Sequence, residues 1–204
     1  MGLLGRGSRD DRSGTFDAIV VGLGNPGTQY ARTRHNVGEE CVRVLAQQVA
    51  SELKPGRDSA STADVRLSER RVILAFPSTY MNESGKAVAA LMRRHGVRDA
   101  NRIVVVHDEL DLAPGTVRVK VGGGLGGHNG LRSITERIGT QDFVRVRIGV
   151  GKPPSKERGA DHVLSKVPAA EREILDVGVR VAADAVLELL ANGPAAAMNR
   201  FNGS

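Results

Sequence analysis

The spacing of apolar and polar positions predicts short strands and helices in mixed order along the chain. Residues 16–24, FDAIVVGLG, form an apolar run that ends in glycines, as buried strands often do. From His35 to Ala50, apolar residues recur at helical spacing. The same criteria predict further strands at 63–67, 71–76, 102–110, 116–121 and 143–150, and further helices at 84–95, 129–138 and from 171 to about 191.

This mixture predicts a single α/β domain over residues 16–204, with a twisted, mostly parallel mixed sheet flanked by helices. Residues 1–15 are rich in Gly, Ser, Arg and Asp, lack an apolar segment, and are predicted to be a disordered arm rather than a secretory signal. No apolar run approaches the roughly 20 residues of a membrane span, so no membrane association is expected. The single cysteine, Cys41, follows the apolar helical pattern and is predicted to be buried.

The charge of the chain is unevenly distributed. The net charge is +6, and residues 112–166 hold ten Lys and Arg but four Asp and Glu, a difference of six that equals the excess of the whole chain. A local basic field favours a polyanionic partner. A solvated surface without a partner is the alternative that charge alone leaves open.

The segment Gly22-Leu-Gly24-Asn-Pro-Gly27 satisfies the G-x-G-x-x-G pattern of dinucleotide-binding loops. Such a loop needs a helix that begins at its third glycine and holds the pyrophosphate. Here Gly27 is followed by TQYARTRHN, which has no apolar periodicity before about position 37. We therefore interpret the segment as something other than a nucleotide site.

Polar side chains recur where predicted strands end. Asn25 follows the first strand, and His35 stands near the start of the next helix. The other groups are Tyr80, Met81 and Asn82 after the strand ending at Phe76, His107, Asp108 and Asp111 at the end of the central strand, and His128 and Asn129 after the glycine run 122–127. Ligands of α/β proteins bind at such a sheet edge. Structural roles remain open, including a helix cap for Asn82 or Ser84, packing for His107 and a turn for Asp111.

Several motifs occur together in a fixed order. They are GLGNPGTQYARTRHNVG at 22–38, PSTYMNESG at 77–85, HDELDLAPG at 107–115, GGGLGGHNGLRSI at 122–134, RVRIGVGKP at 145–153 and AMNRFN at 197–202. Together they resemble the bacterial-type peptidyl-tRNA hydrolase family, from about Phe16 to Asn202. The segment before Phe16 is longer than the family usually carries.

The resemblance implies a monomeric, cytoplasmic enzyme without metal or cofactor, whose partner is peptidyl-tRNA. The family cleaves the ester between the peptide and the tRNA 3′ end. By matching motifs, His35 corresponds to the catalytic histidine and Asp108 to its carboxylate partner. The resemblance further implies that Asn25, Asn82 and Asn129 bind the peptide, the ester end and the attacking water, that Tyr30, Met81 and His128 line the same crevice, and that Lys120 and Arg147 hold the tRNA 5′ phosphate.

The chemistry of the residues agrees with this function. Opening an ester with water requires a base, a group that orients the base, and donors for the developing oxyanion. Alternation in TVRVKV and FVRVRIGV puts Arg118 and Lys120 on one side of their strand and Arg145 and Arg147 on one side of theirs, which predicts a shared cationic face. With four Phe, two Tyr and no Trp, phosphate contacts rather than base stacking should dominate.

Two functions of other classes are compatible with parts of the sequence. A non-catalytic RNA-binding module would account for the basic half of the chain. A metal-dependent hydrolase would use the cluster around residues 107–111, namely His107, Asp108 and Asp111 together with His128.

Overall fold

The valine-rich runs form the centre of a seven-stranded sheet. The computed structural model describes residues 16–153, 155 and 158–203. The strands are β1 (Ala18–Gly22), β2 (Lys54–Pro55), β3 (Ala60–Leu67), β4 (Arg70–Pro77), β5 (Ile103–Glu109), β6 (Val117–Val121) and β7 (Val144–Gly149). Their order is β2-β3-β4-β1-β5-β7-β6. The four central strands are parallel and the outer strands pair antiparallel, which confirms the predicted mixed sheet.

Helices cover both faces of this sheet and create two apolar cores. The helices are α1 (Val37–Gln48), α2 (Ser84–His95), α3 (Asn129–Ile138), α4 (Gly159–Leu164) and α5 (Ala169–Phe201). Apolar residues of α1 and α5 pack in one core, and those of α2 and α3 in the other. Cys41 is fully buried in the first core, and burial raises the pKa of its thiol. In the described part of the chain, no helix has the length and apolar content that crossing a membrane would need.

Gly22 and Gly38, on either side of the first loop, allow α1 to pack closely against the sheet. A Cβ atom on Gly22 would lie 2.1 Å from the backbone oxygen of Gly38, and one on Gly38 would lie 2.3 Å from the oxygen of Val106. The start of α1 therefore touches both β1 and β5. After Gly27 the chain forms a 3₁₀ turn (Thr28–Tyr30), and α1 begins only at Val37. This confirms that the loop lacks the helix of a dinucleotide site.

The structure departs from the predicted elements in several places. Neither β2 nor α4 was predicted, and β3 begins at Ala60 rather than at residue 63. The backbone of α5 breaks at Gly193, near the predicted end, but helix resumes and continues to Phe201. Proline is well suited to the first turn of a helix, so Pro194 begins the second segment rather than ending the first. The predicted arm, residues 1–15, lies outside the described residues.

Candidate active site

The carboxyl ends of β1, β4 and β5 open into a cleft of about 450 Å³. Because the parallel strands all end at the same edge, the loops that follow them meet there. The cleft is lined by Asn25, His35, Tyr80, Met81, Asn82, His107, Asp108, Glu109, Leu110, Leu125, Gly126, Gly127, His128, Asn129, Gly159, Ala160, Val163 and Leu164. The four predicted groups of polar residues thus each contribute to one cavity.

His35 and Asp108 form a hydrogen-bonded pair in this cleft. His35 lies in a 3₁₀ turn (Arg34–Asn36) just before α1, and Asp108 is the penultimate residue of β5. The Nδ1 atom of His35 is 2.9 Å from each carboxylate oxygen of Asp108. A carboxylate accepts hydrogen bonds, so in the neutral ring Nδ1 carries the proton and Nε2 keeps its lone pair. This is the arrangement in which a histidine acts as a base.

The electrostatics of the pair favour its charged forms. Burial lowers the pKa of His35, but the charge and the hydrogen bond of Asp108 outweigh burial, so the net pKa is raised. Burial raises the pKa of Asp108, but interactions with His35 and His128 bring it well below its ordinary value. Asp108 therefore remains a carboxylate, although its side chain is only 3% exposed.

His128 supplies a second donor to the same carboxylate. Its Nε2 lies 2.9 Å from Oδ1 of Asp108. Its Nδ1 accepts the backbone N–H groups of Gly130 and Leu131 at 3.1 and 3.4 Å, which caps the N-terminus of α3. Because Nδ1 must keep its lone pair for these bonds, Nε2 carries the hydrogen. His128 thus donates from Nε2 to Asp108 while its Nδ1 holds the start of α3.

The glycine run 122–127 returns the chain to this edge. Since β6 is antiparallel to β7, β6 ends at the edge opposite the cleft. The six residues then cross back along the sheet to His128, with positive φ at Gly122, Gly123, Gly126 and Gly127. The sequence pattern predicts His128 beside a strand end. The structure corrects the route by which His128 arrives but confirms that it lies in the cleft.

Arg145 binds the backbone of the loop at 122–127. This corrects the prediction that Arg145 belongs to an exposed cationic face shared with Arg118, Lys120 and Arg147. Arg145 is buried, and its guanidinium donates to the carbonyl oxygens of Gly123 and Gly124, the latter at 2.7 Å. The alternation predicted its side of the sheet correctly, because Lys120 pairs in register with Arg145 and Arg118 with Arg147. Its positive charge, however, faces backbone carbonyl groups rather than solvent.

Asn25 is held rigidly at the cleft. Its Oδ1 accepts the backbone N–H of Met81 at 2.8 Å. The Asn36 side chain bonds both backbone groups of Asn25, accepting from its N–H and donating to its carbonyl oxygen, each at 2.9 Å. Among the described residues the Asn25 Nδ2 group has no hydrogen-bond acceptor, so it remains a donor for a ligand.

The remaining predicted crevice residues lie in different positions. Asn82 and Asn129 are exposed and line the cleft. Asn82 does not cap α2, which begins without a side-chain cap. Tyr30 does not line the cavity, and its ring stands edge-on to Tyr80, with ring centroids 6.4 Å apart.

The two predicted phosphate-binding residues lie outside the cavity. Lys120 is exposed on the edge strand β6. Arg147 is on β7 and forms an ion pair with Glu109 at 2.9 Å. Glu109 itself lines the cleft. The Arg147–Glu109 pair therefore borders the cavity at the side of the sheet formed by β7 and β6.

The residues of the metal-dependent alternative do not all meet. Asp111 is exposed, outside the cavity, and 3.2 Å from Lys152. His107 is buried and donates from Nδ1 to the Asp108 backbone oxygen at 2.7 Å, which confirms its packed position, and burial lowers its pKa to about 3. The described residues bring a different triplet together: ligand atoms of His35, Asp108 and His128 lie within 4.8 Å of one another.

Several residues of the site were not predicted from the sequence. Asn36 lies within the recognised motif and could have been suspected as a partner of Asn25. Leu125, within the glycine run 122–127, also lines the cleft. The wall formed by α4 gave no periodic signal, because Val163 is the only buried residue of this helix.

The fold and the site define an α/β enzyme in which a buried carboxylate orients a histidine at the edge of the sheet. The profile of the family described as peptidyl-tRNA hydrolase matches residues 19–204. The chain is 50% identical to a peptidyl-tRNA hydrolase of Rhodococcus erythropolis over 189 residues, covering 92% of this chain and 99% of that protein. A peptidyl-tRNA hydrolase of Nocardia farcinica is also 50% identical, with 92% and 97% covered.

Comparison with solved structures gives the same result. The crystal structure of peptidyl-tRNA hydrolase from Acinetobacter baumannii superposes with a TM-score of 0.85 at 41% sequence identity, covering 91% of this chain and 94% of that one. The chain belongs to the peptidyl-tRNA hydrolase family. It is therefore an enzyme, and the non-catalytic RNA-binding alternative is wrong.

Proposed function

We propose that this chain hydrolyses the ester between the peptide and the tRNA 3′ end by direct attack of water, with His35 as the general base. The observation that carries the mechanism is the bond from His35 Nδ1 to Asp108, which in the neutral ring keeps the proton on Nδ1 and leaves Nε2 as the base at the cleft. None of the described residues lining the cavity is Ser, Thr or Cys, which favours water over a covalent intermediate.

The reaction then proceeds in two proton transfers. His35 Nε2 takes a proton from water as the water oxygen attacks the ester carbonyl carbon, and Asp108 stabilises the imidazolium that forms. The C–O bond to the ribose breaks, and His35 returns the proton to the departing ribose oxygen. The products are a tRNA with an intact 3′ end and the free peptide acid, which loses its proton to solvent and leaves as the carboxylate.

Neutral amides surround the base. Asn25 is held so that its Nδ2 group remains a donor, and Asn82 and Asn129 line the same cavity. Such donors can bind the peptide backbone, the attacking water and the oxyanion without adding a charge. We assign these three residues to substrate binding as a group, with Met81 and His128 supporting them.

The basic edge of the sheet is proposed to hold the tRNA. Lys120 is exposed and Arg147 lies beside the cleft, so both can approach the acceptor end while the ester occupies the cavity. Tyr30 contributes through its contact with Tyr80 rather than by lining the cavity. We further propose that residues 16–204 form one catalytic domain acting as a cytoplasmic monomer, since every group named above comes from one chain.

The decisive experiment is turnover of N-acetylated aminoacyl-tRNA by His35→Ala in the presence of chelator. Loss of a general base costs a factor of about 10²–10⁴ in rate, while tRNA binding should change by no more than a few-fold. His95→Ala is the matched control, because His95 packs on Phe16 outside the cleft. Near-normal turnover in His35→Ala would contradict the assignment. Loss of wild-type activity in chelator, restored by a divalent metal, would favour the metal-dependent mechanism.

A further inference from the structure

One wall of the cleft has little support of its own. The α4 wall, formed by Gly159, Ala160, Val163 and Leu164, lines the cavity. It belongs to a helix of six residues with one buried side chain. Isolated helices shorter than about 12 residues are marginal in water, so contacts from elsewhere must hold this one.

Two side chains fix α4 to the rest of the fold. The ring of His162 donates from Nε2 towards the carbonyl oxygens of Val150 and Gly151, at 3.2 and 3.1 Å, just beyond β7. The Nη1 atom of Arg34 donates to the backbone oxygen of His162 at 3.0 Å and to Oγ of Ser165 at 3.4 Å. Arg34 thus satisfies a carbonyl group near the C-terminus of α4, where a cation is favourable.

Arg34 is itself held by a charged fork. Its Nε and Nη2 atoms donate to the two carboxylate oxygens of Glu171, at 2.7 and 2.6 Å. Arg34 is buried, and Glu171 lies in the first turn of α5. Arg34 also directly precedes His35 in the same 3₁₀ turn. One guanidinium therefore links α5, the α4 wall and the turn that carries the base.

We propose that Arg34 is a positioning residue that sets the α4 wall relative to His35 and thereby determines how tightly the cleft binds the acyl part of the substrate. This rests on the proposed function. Val163 and Leu164 lie in a cavity that also contains Leu110 and Leu125, and the α4 wall carries no charged side chain. Such a surface suits an uncharged peptide rather than phosphate groups.

The test compares Arg34→Lys and Glu171→Gln with a matched control, Arg172→Lys. A lysine cannot reproduce the five-donor fork. Arg172 is an equally buried arginine whose described hydrogen bonds go to Glu40, Asp176 and the Arg32 backbone oxygen rather than to α4. The substrates are a tRNA carrying an N-acetylated apolar tripeptide and N-acetylglycyl-tRNA.

Arg34→Lys should raise KM for the tripeptidyl substrate about tenfold, the equivalent of one lost hydrogen bond to a charged group. The kcat should stay within about threefold, and its pH profile should not move, because this pattern marks a loss of uniform binding. N-acetylglycyl-tRNA should be affected less, and Glu171→Gln should act in the same direction more weakly. Amide hydrogen exchange of residues 159–165 should increase in both variants and not in Arg172→Lys.

Three outcomes would overturn the proposal. They are an equal KM increase in Arg172→Lys, a fall in kcat or a shifted pH profile without a KM change, and unchanged exchange of residues 159–165 in Arg34→Lys. Absence of turnover in the wild-type chain would instead contradict the proposed function. The exchange measurement does not depend on turnover, so it still tests the role of Arg34 in that case.

Discussion

Two imidazole rings converge on one carboxylate at Asp108. His35 and His128 both donate to it, but their other nitrogens differ in use. The second nitrogen of His128 is occupied by the N-terminus of α3, whereas that of His35 faces the cleft. Two histidines with the same partner therefore have separate roles, and only His35 is available to accept a proton.

The pH dependence of the enzyme should report this arrangement. The proposed base must be unprotonated, so kcat/KM should rise with pH through the pKa of His35, which the charge and hydrogen bond of Asp108 raise above its ordinary value. In Asp108→Asn, burial still lowers the pKa of His35, but the charge and the hydrogen bond of Asp108 that raise this pKa are lost. The rising limb should move to lower pH while the maximal rate falls. A pH–rate series on both proteins checks this, and an upward shift would exclude Asp108 as the partner of the base.

Two substitutions separate the two roles of His128, which are the cap of α3 and the hydrogen bond to Asp108. His128→Ala removes both the cap of α3 and the bond to Asp108, and loss of a cap costs about 1 kcal/mol of stability. Asparagine is a good N-cap residue, so His128→Asn should keep most of that stability while still lowering kcat. Thermal unfolding and turnover of both variants provide the comparison. Equal turnover in His128→Asn and the wild type would mean that the bond to Asp108 is dispensable.

The sequence predicts individual site residues where they lie in a recognisable motif. It does not predict which side chains are buried. His35, Asp108 and the asparagines lie in recognisable motifs, and the structure brings them to one cavity. The side of the sheet occupied by Arg145 followed from alternation. Its burial did not, because its partners are the carbonyl groups of a loop whose path depends on strand order.

At the level of elements, the turn that carries His35 depends on how closely α1 approaches the sheet. The contact is made by backbone at Gly38, which leaves no room for a side chain against β5. The position of His35 therefore depends on how Gly38, three residues further along the chain, packs against the sheet.

Gly38→Ala should lower both stability and activity. Overpacking of this kind costs about 1–3 kcal/mol or more, and displacement of α1 would carry His35 away from Asp108. Gly124→Ala is the matched control, because a Cβ atom there meets nothing within 4 Å and its φ is not positive. Denaturant unfolding and turnover test the pair. Unchanged activity in a clearly destabilised Gly38→Ala protein would show that α1 does not set the position of the base.

Elements with a strong period were predicted well, and short ones were not. The helix at 129–138 has the predicted limits, because its apolar face repeats clearly. The strand β2 has two exposed residues, and α4 has one buried residue, so neither produces a pattern. Strand order depends on long-range pairing, so the sequence could not reveal that the glycine run crosses the sheet.

At the level of the whole molecule, the proposed tRNA surface lies at one margin of the sheet. Lys120 is on the edge strand β6, and Arg147 is on the neighbouring strand. At the opposite margin, β2 carries the exposed Lys54. The same type of charge therefore occurs at both margins of the sheet, but Arg147, beside β6, forms an ion pair with a residue that lines the cleft, Glu109.

Lys120→Glu and Arg147→Glu should raise KM for full-length peptidyl-tRNA and leave kcat for a short 3′-end fragment nearly unchanged. Each should also flatten the salt dependence of binding, since each lost phosphate contact releases about one counterion fewer. Lys54→Glu makes the same charge reversal at the far margin and should have little effect. Equal losses on both substrates would place the tRNA surface elsewhere.

The ion pair between Arg34 and Glu171 also affects when the site can form during synthesis of the chain. It joins residues 137 positions apart, whereas His35 and Asp108 are 73 apart. Domains fold as units, and distant contacts form late. A nascent chain that ends before Ala169 already contains the proposed catalytic pair but lacks the helix that supports the adjoining turn. The turn that carries His35 therefore gains this support only after the start of α5 has left the ribosome.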